Sequence, residues 1–143
     1  MIHSHLGVYG LILNSTKTKI LLIKKARGPY TSLFDLPGGS MKDLELLEET
    51  LTREISEETS CQVVKATQLK TLSTLFNYQQ DNVSCTLKHI AVIYDVEIIA
   101  DITGSINSKG DGEDSLGCSW HDIKSLEAEK LSPIVKLALD LID

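Results

Sequence analysis

Residues 44–59 contain neither Gly nor Pro, and Leu44, Leu47, Leu51 and Ile55 recur at helical spacing. The spacing predicts a helix over 44–59. With Leu47 at the origin and about 100° per residue, Leu44, Leu51 and Ile55 fall at about 60°, 40° and 80°, forming one apolar stripe. On the same wheel Glu54, Glu57 and Glu58 fall at about 340°, 280° and 20°, beside the stripe and partly inside it, while Glu49, Thr52 and Ser56 occupy the far side. Three like charges at i, i+3 and i+4 repel one another, and carboxylates bordering a buried stripe lose water unless something compensates. A divalent cation removes both penalties. Mg2+ and Mn2+ prefer oxygen ligands, take only a few carboxylates, and keep waters or substrate phosphates at the other positions. Arg53, at about 240° on the wheel, sits beside Glu57 and can fix a carboxylate through paired hydrogen bonds.

The charge of the chain is concentrated in this segment. Between Gly39 and Glu58 lie seven acids against two bases, so the segment carries nearly all of the formal net charge of −6. An acidic balance argues against a nucleic-acid binder that relies on a broad basic surface, yet it admits a small phosphorylated ligand. The apolar runs at 6–13 and 90–100 are far shorter than the roughly 20 residues of a membrane helix. The N-terminus lacks the pattern of a secretory signal, which makes the cytoplasm the expected location. Cys61, Cys85 and Cys118 are odd in number and show no CxxC spacing, so they read as reduced thiols in or near the core.

Around the helix, residues 6–13 and 19–24 read as two strands joined by the polar turn 14–18. Gly28, Pro29, Pro37, Gly38 and Gly39 punctuate a loop containing Tyr30 and Phe34. Strand-like alternation follows at 61–69 and 71–77, then a long β-rich segment at 86–99. A polar loop spans 105–117, a short strand begins at 118–120, and Ser132-Pro133 caps a terminal helix over 134–142. Mixed strands with two helices give a layered α/β or α+β arrangement, expected to be a single domain over 1–143.

The run Leu36-Pro37-Gly38-Gly39, then Glu45, then Arg53-Glu54-Ile55-Ser56-Glu57-Glu58, resembles the Nudix box, G-x5-E-x7-R-E-U-x-E-E-x-G-U, in which U is a bulky aliphatic residue. All seven fixed positions before the final Gly-U are met. At that final pair this chain has Ser60 and Cys61. Gly after a helix supplies a left-handed turn, so Ser60 is expected either to use another geometry or to accept strain. The resemblance implies an α/β fold, the Nudix-like α/β/α sandwich with a mixed central sheet.

Nudix hydrolases are metal-dependent enzymes that cleave compounds in which a nucleoside diphosphate is linked to another group. The resemblance therefore implies Mg2+ or Mn2+ held by Glu54, Glu57 and Glu58 with the backbone carbonyl of Gly38, and Glu54 as the residue that also helps deprotonate the attacking water. It casts Arg53 as the orienter of a box carboxylate and Glu45 as a support for the loop. Family members often draw a further base or ligand from outside the box, for which Glu113 and Asp114 are the candidates. Lys24, Lys25 and Arg27 leave the second strand toward the Gly-rich loop, where they can meet phosphate oxygens. Tyr30 or Phe34 could stack on a base, although core packing is the alternative for both. His3, His5, His89 and His121 show no partner at ligand spacing and receive no catalytic role.

The function expected from this resemblance is hydrolysis of a phosphoanhydride, with a nucleoside triphosphate cut to monophosphate and pyrophosphate as first choice. ADP-ribose, dinucleoside polyphosphates and capped RNA ends remain open. The expected partner is a nucleotide-type small molecule, with neither membrane nor nucleic acid and with a homodimer as the assembly to test. Two rival readings stand beside it. One is a Nudix-fold regulatory module that binds a nucleotide without turnover. The other is an acidic helix of purely structural use, which predicts no metal-linked change in melting temperature.

Overall fold

The structure, a computed structural model, describes residues 1–100, 106–110 and 115–142. Strand β1 (Ile2–Leu11) pairs in parallel with the long β6 (Val83–Ala100) and antiparallel with the short β4 (Gly38–Ser40). The equally long β5 (Cys61–Gln80) pairs antiparallel with β6 and completes a mixed sheet of order β4-β1-β6-β5. A second, antiparallel sheet has the order β3-β2-β7, from β2 (Lys19–Lys25), β3 (Phe34–Asp35) and β7 (Ser115–Asp122). The two sheets meet where β1 runs into β2, at the hydrogen bond from Leu21 N–H to the Ile12 carbonyl (2.9 Å).

Alternation along the central strands distributes their side chains between two cores. Val8, Ile12, Leu21, Ile23, Val92, Tyr94 and Val96 face Leu51 and Ile55 of α1 (Leu47–Thr59). Their neighbours Tyr9, Leu11, Ile20, Leu22, Ala91 and Ile93 face Ile134, Val135 and Ala138 of α2 (Pro133–Leu139). This is the expected α/β/α sandwich with a mixed sheet at its centre. Helix α2 opens as its sequence predicts: the Ser132 hydroxyl accepts from Val135 N–H (3.2 Å), and Pro133 takes the first turn, where no intrahelical donor is needed.

Two boundaries differ from expectation for a visible reason. Helix α1 begins at Leu47, and Leu44 is 96% exposed, outside the apolar stripe. The cause is Glu45, whose carboxylate accepts from Lys42 N–H (2.9 Å), from the Thr50 hydroxyl (3.1 Å) and from Arg53, so that residues 42–45 form a turn instead of helix. The segments at 61–69 and 71–77 are one strand, interrupted by register shifts at Val63/Lys65 and Gln68/Lys70, the second of which produced the apparent break. Ser60 ends α1 in the left-handed region (φ 62°, ψ 24°), with its N–H donating to the Ser56 carbonyl (3.0 Å). Of the two outcomes expected there, the chain accepts strain.

Candidate active site

The β4 strand and α1 meet edge to face, and two glycines permit the approach. At Gly38 the backbone has φ 145°, and a Cβ there would collide with the Val8 carbonyl oxygen and lie 2.6 Å from Tyr9 Cα. At Gly39 a Cβ would stand 2.9 Å from the Glu54 carboxylate carbon. Gly38 N–H donates to Glu58 Oε1 (2.7 Å), which ties the strand to the last turn of the helix.

The three helix acids occupy three environments. Glu58 is 1% exposed, and burial pushes its carboxyl well above the usual range, with the Gly38 hydrogen bond opposing and the Glu54 charge reinforcing the shift. Glu54 is partly buried, with Oε1 accepting from Arg53 Nη1 (3.0 Å). Glu57, which the wheel put off the solvent side, has a side chain 50% exposed and takes the same Nη1 at 3.3 Å. Arg53 is the hub: its Nε and Nη2 donate to the two oxygens of Glu45 (2.6 and 2.9 Å), and Nη2 also reaches the Ser40 carbonyl (3.0 Å). That paired contact, joined by the Lys42 N–H, brings the Glu45 carboxyl down to about 2.

The donor chemistry fits a hard divalent cation. One guanidinium serves Glu45, Glu54 and Glu57, and Glu58 adds a buried carboxylate whose charge Glu54 opposes. The observed rotamers point at Arg53 and Gly38, and among the described residues no three Asp, Glu, His or Cys side chains yet stand close enough to close around an ion.

Beside this cluster opens a cavity of about 540 Å3. Its walls include Glu54, Gly38, Gly39, Lys25 and Arg27. From there the cavity follows β1, where Tyr9 lies opposite Gly38, His5 opposite His89 on β6, and His3 opposite Leu87. Tyr30, Asp35 and Tyr78 complete its walls. Among the sequence candidates, Lys25, Arg27, Tyr30, Gly38 and Glu54 thus line the cavity, and Arg53, Glu57 and Glu58 do not. Phe34 does not: its ring stands edge-on to His121 (4.5 Å between centroids), beside a separate hollow of about 140 Å3, because β3 turns alternate side chains to opposite faces. Asp114 and Glu113 lie outside the described residues.

The sequence reading passed over Asp35 and Tyr9, and it gave His89 no role. Asp35 is buried and accepts from Leu36 N–H (2.9 Å) and from the Ser132 hydroxyl (2.7 Å), joining β3 to the start of α2; burial raises its carboxyl. The available signal was an acid set between Phe34 and Leu36. For Tyr9 the signal was Gly7 inside a strand pattern, which often marks a close approach. His89 carried none, since it meets residues 5 and 9 only through the parallel pairing of β1 with β6, and Tyr30 reaches it from the segment between β2 and β3.

Comparison with known proteins agrees with this arrangement. The NUDIX domain pattern matches residues 3–141. An ADP-ribose pyrophosphatase of Methanocaldococcus jannaschii is 43% identical over 58 residues, 41% of this chain and 33% of that protein. A Caenorhabditis elegans protein provisionally named nudix hydrolase 1 is 28% identical over 116 residues, 80% of this chain and 27% of that one. The chain thus spans a third or less of the length of these curated relatives. The crystal structure of a MutT NUDIX hydrolase from Burkholderia pseudomallei superposes with a TM-score of 0.76 over 99% of both chains at 23% identity, a likeness of fold. Because the pattern takes in both sheets, both helices and the glycine-to-glutamate segment that borders the cavity, the chain belongs to the NUDIX domain family.

Proposed function

We propose that this chain hydrolyses a phosphoanhydride bond in a nucleoside diphosphate linked to a second group, with Mg2+ or Mn2+ as cofactor. The observation that carries the reading is the cavity wall where Glu54 and the Gly38–Gly39 backbone stand together with Lys25 and Arg27, acid and base lining one space of ligand size. Glu54, Glu57, Glu58 and the Gly38 carbonyl are the groups to hold the cation. When bound, it neutralises a pyrophosphate and lowers the pKa of a water to make it a nucleophile.

The remaining work falls to the chain. Lys25 and Arg27 bind phosphate oxygens and orient the anhydride. Glu54 takes the proton of the attacking water; the water oxygen forms the new bond to phosphorus, and the bridging P–O bond breaks with its electron pair leaving on the departing phosphate. Arg53, held by Glu45, positions the Glu54 and Glu57 carboxylates without touching substrate. Gly38 N–H fixes Glu58.

ADP-ribose is the first compound to test, because the Methanocaldococcus jannaschii relative bears its name, and nucleoside triphosphates are the second. The expected setting is the cytoplasm, with the enzyme acting as one domain on a free nucleotide. The experiment is a substrate panel with Mg2+ and identification of the products. Phosphate-ester products from at least one nucleoside diphosphate derivative support the reading, and binding without any product refutes it in favour of a regulatory module.

A further inference from the structure

The walls of the cavity include three groups that the hydrolysis does not use. Tyr9, Tyr30 and His89 are all buried, and each lines the cavity. His89 Nε2 lies 2.8 Å from the Tyr9 hydroxyl, and His89 Nδ1 lies 2.9 Å from the Tyr30 hydroxyl. A neutral imidazole and two phenols carry three exchangeable protons between them, and two hydrogen bonds occupy two of those. The third proton always rests on a phenol. If Nε2 is the imidazole donor, Tyr30 donates to Nδ1 and the Tyr9 proton is left over; if Nδ1 is the donor, the Tyr30 proton is left over. His5 Nε2, at 3.5 Å from the Tyr9 hydroxyl, is at the outer limit of a hydrogen bond and is a poor claimant for it.

The surrounding structure holds the network in place. Gly7 and Tyr9 share a face of β1, and the Tyr9 ring lies back over Gly7: a Cβ at Gly7 would collide with the hydroxyl and come within 2.6 Å of the ring. Only a residue without a side chain lets this phenol reach His89. Burial, reinforced by the charges of His5 and Lys25, moves the His89 pKa down to about 4, and burial raises both phenols, so all three groups are neutral across the physiological range. The Tyr30 ring is held independently, edge-on to Phe76 at 5.0 Å.

Resting on the function proposed above, we propose that the Tyr9–His89–Tyr30 network presents its spare phenol proton to an uncharged acceptor on the nucleoside end of the ligand, a base carbonyl, a ring nitrogen or a sugar oxygen. These residues set which ligand enters, and the α1 carboxylates set the rate. The phenol that meets the ligand is the direct contact. The other acts through His89, by fixing which ring nitrogen carries the proton, so the pair works as one unit.

The test measures binding of ADP-ribose and of inorganic pyrophosphate by calorimetry, with Mg2+, in a Glu54→Gln background in which the ligand is not consumed. Tyr9→Phe and Tyr30→Phe keep the rings and remove only the hydroxyls. We expect the more affected single variant to weaken ADP-ribose by about tenfold, with pyrophosphate affinity held within about twofold, since a good hydrogen bond is worth about that factor. The double variant should bind ADP-ribose about as weakly as the weaker single variant. Single losses that multiply in the double variant, pyrophosphate affinity that falls in parallel, or ADP-ribose affinity unchanged in all three variants would each overturn the proposal. A parent that binds ADP-ribose but leaves it and ATP intact sinks the hydrolase reading instead, and leaves this network to be judged by the same affinities.

Discussion

The carboxylate cluster on α1 and the cavity wall beside it solve opposite electrostatic problems. In the α1 cluster, charged groups stay charged because they are paired: Arg53 holds Glu45 through both oxygens, and the Glu45 carboxyl falls to about 2. Along the β1/β6 wall, titratable groups stay neutral because they are buried and bonded to one another: His89 falls to about 4 and the two phenols rise. Glu58 lies between, a buried acid pushed up by its surroundings yet anchored on Gly38 N–H. The cluster suits an anhydride and its counter-ion, the wall an uncharged, hydrogen-bonding group. Within a single cavity, polarity alone does not say what binds; whether the polar groups are held charged or neutral does.

The sharpest test of that division is Glu54→Gln. It should lower kcat by about 10^2- to 10^4-fold, the usual contribution of a positioned general base, with the melting temperature close to that of the parent. Equal turnover by parent and variant would remove Glu54 from the chemistry. Next come the two glycines, which hold cluster and wall in different ways. Gly38→Ala forces a Cβ onto backbone atoms at φ 145° and should cost about 3 kcal/mol or more in denaturant unfolding. Gly7→Ala meets a ring that can swing away, so its cost should stay within about 1–3 kcal/mol. If the two costs are reversed, the charged cluster is not the more rigid of the two.

A smaller effect separates cluster and wall by pH. The Glu45 carboxyl titrates at about 2 in the folded chain against an ordinary 4.5, so its pairing stabilises the protein above pH 4.5, and that contribution disappears as pH falls toward 2. Thermal melts of Glu45→Gln and parent should therefore differ most at neutral pH and converge through that window. Parallel curves would show that the Arg53 pairing contributes nothing to stability. The smallest effect belongs to neither. Ser60→Gly relieves a left-handed serine between α1 and β5 and should stabilise by about 1 kcal/mol, with kcat and KM unchanged. A stabilisation accompanied by altered KM would tie this turn to the cavity.

The charged cluster was legible in the sequence and the neutral wall was not, for a physical reason. Glu54, Glu57 and Glu58 belong to one helix, so their spacing fixes their relative directions, and Glu58, at about 20° on the wheel, is the one that is fully buried. The wheel erred at Glu57 because Arg53 draws that carboxylate along the exposed side of the helix, and at Leu44 because Glu45 spends its hydrogen bonds on a turn. Tyr9, Tyr30 and His89 come from a strand, a loop and a strand 80 residues apart in the case of Tyr9 and His89, and no local period connects them. The parallel register that places His5 against His89 joins Tyr9 to His89, and Tyr30 arrives from the segment between β2 and β3. Phe34 shows the converse: next to a buried residue in a two-residue strand, it was offered to the ligand when its face is turned to His121.

The central claim is that the cavity cleaves a phosphoanhydride with help from Glu54 and a divalent cation. Phosphorus NMR of ADP-ribose and of a nucleoside triphosphate, each incubated with the parent chain and Mg2+, reads the claim directly. We expect monophosphate products from at least one of the two, none once the metal is chelated, and almost none from Glu54→Gln. Intact starting material in both tubes, or the same products at the same rate without metal, would contradict the account.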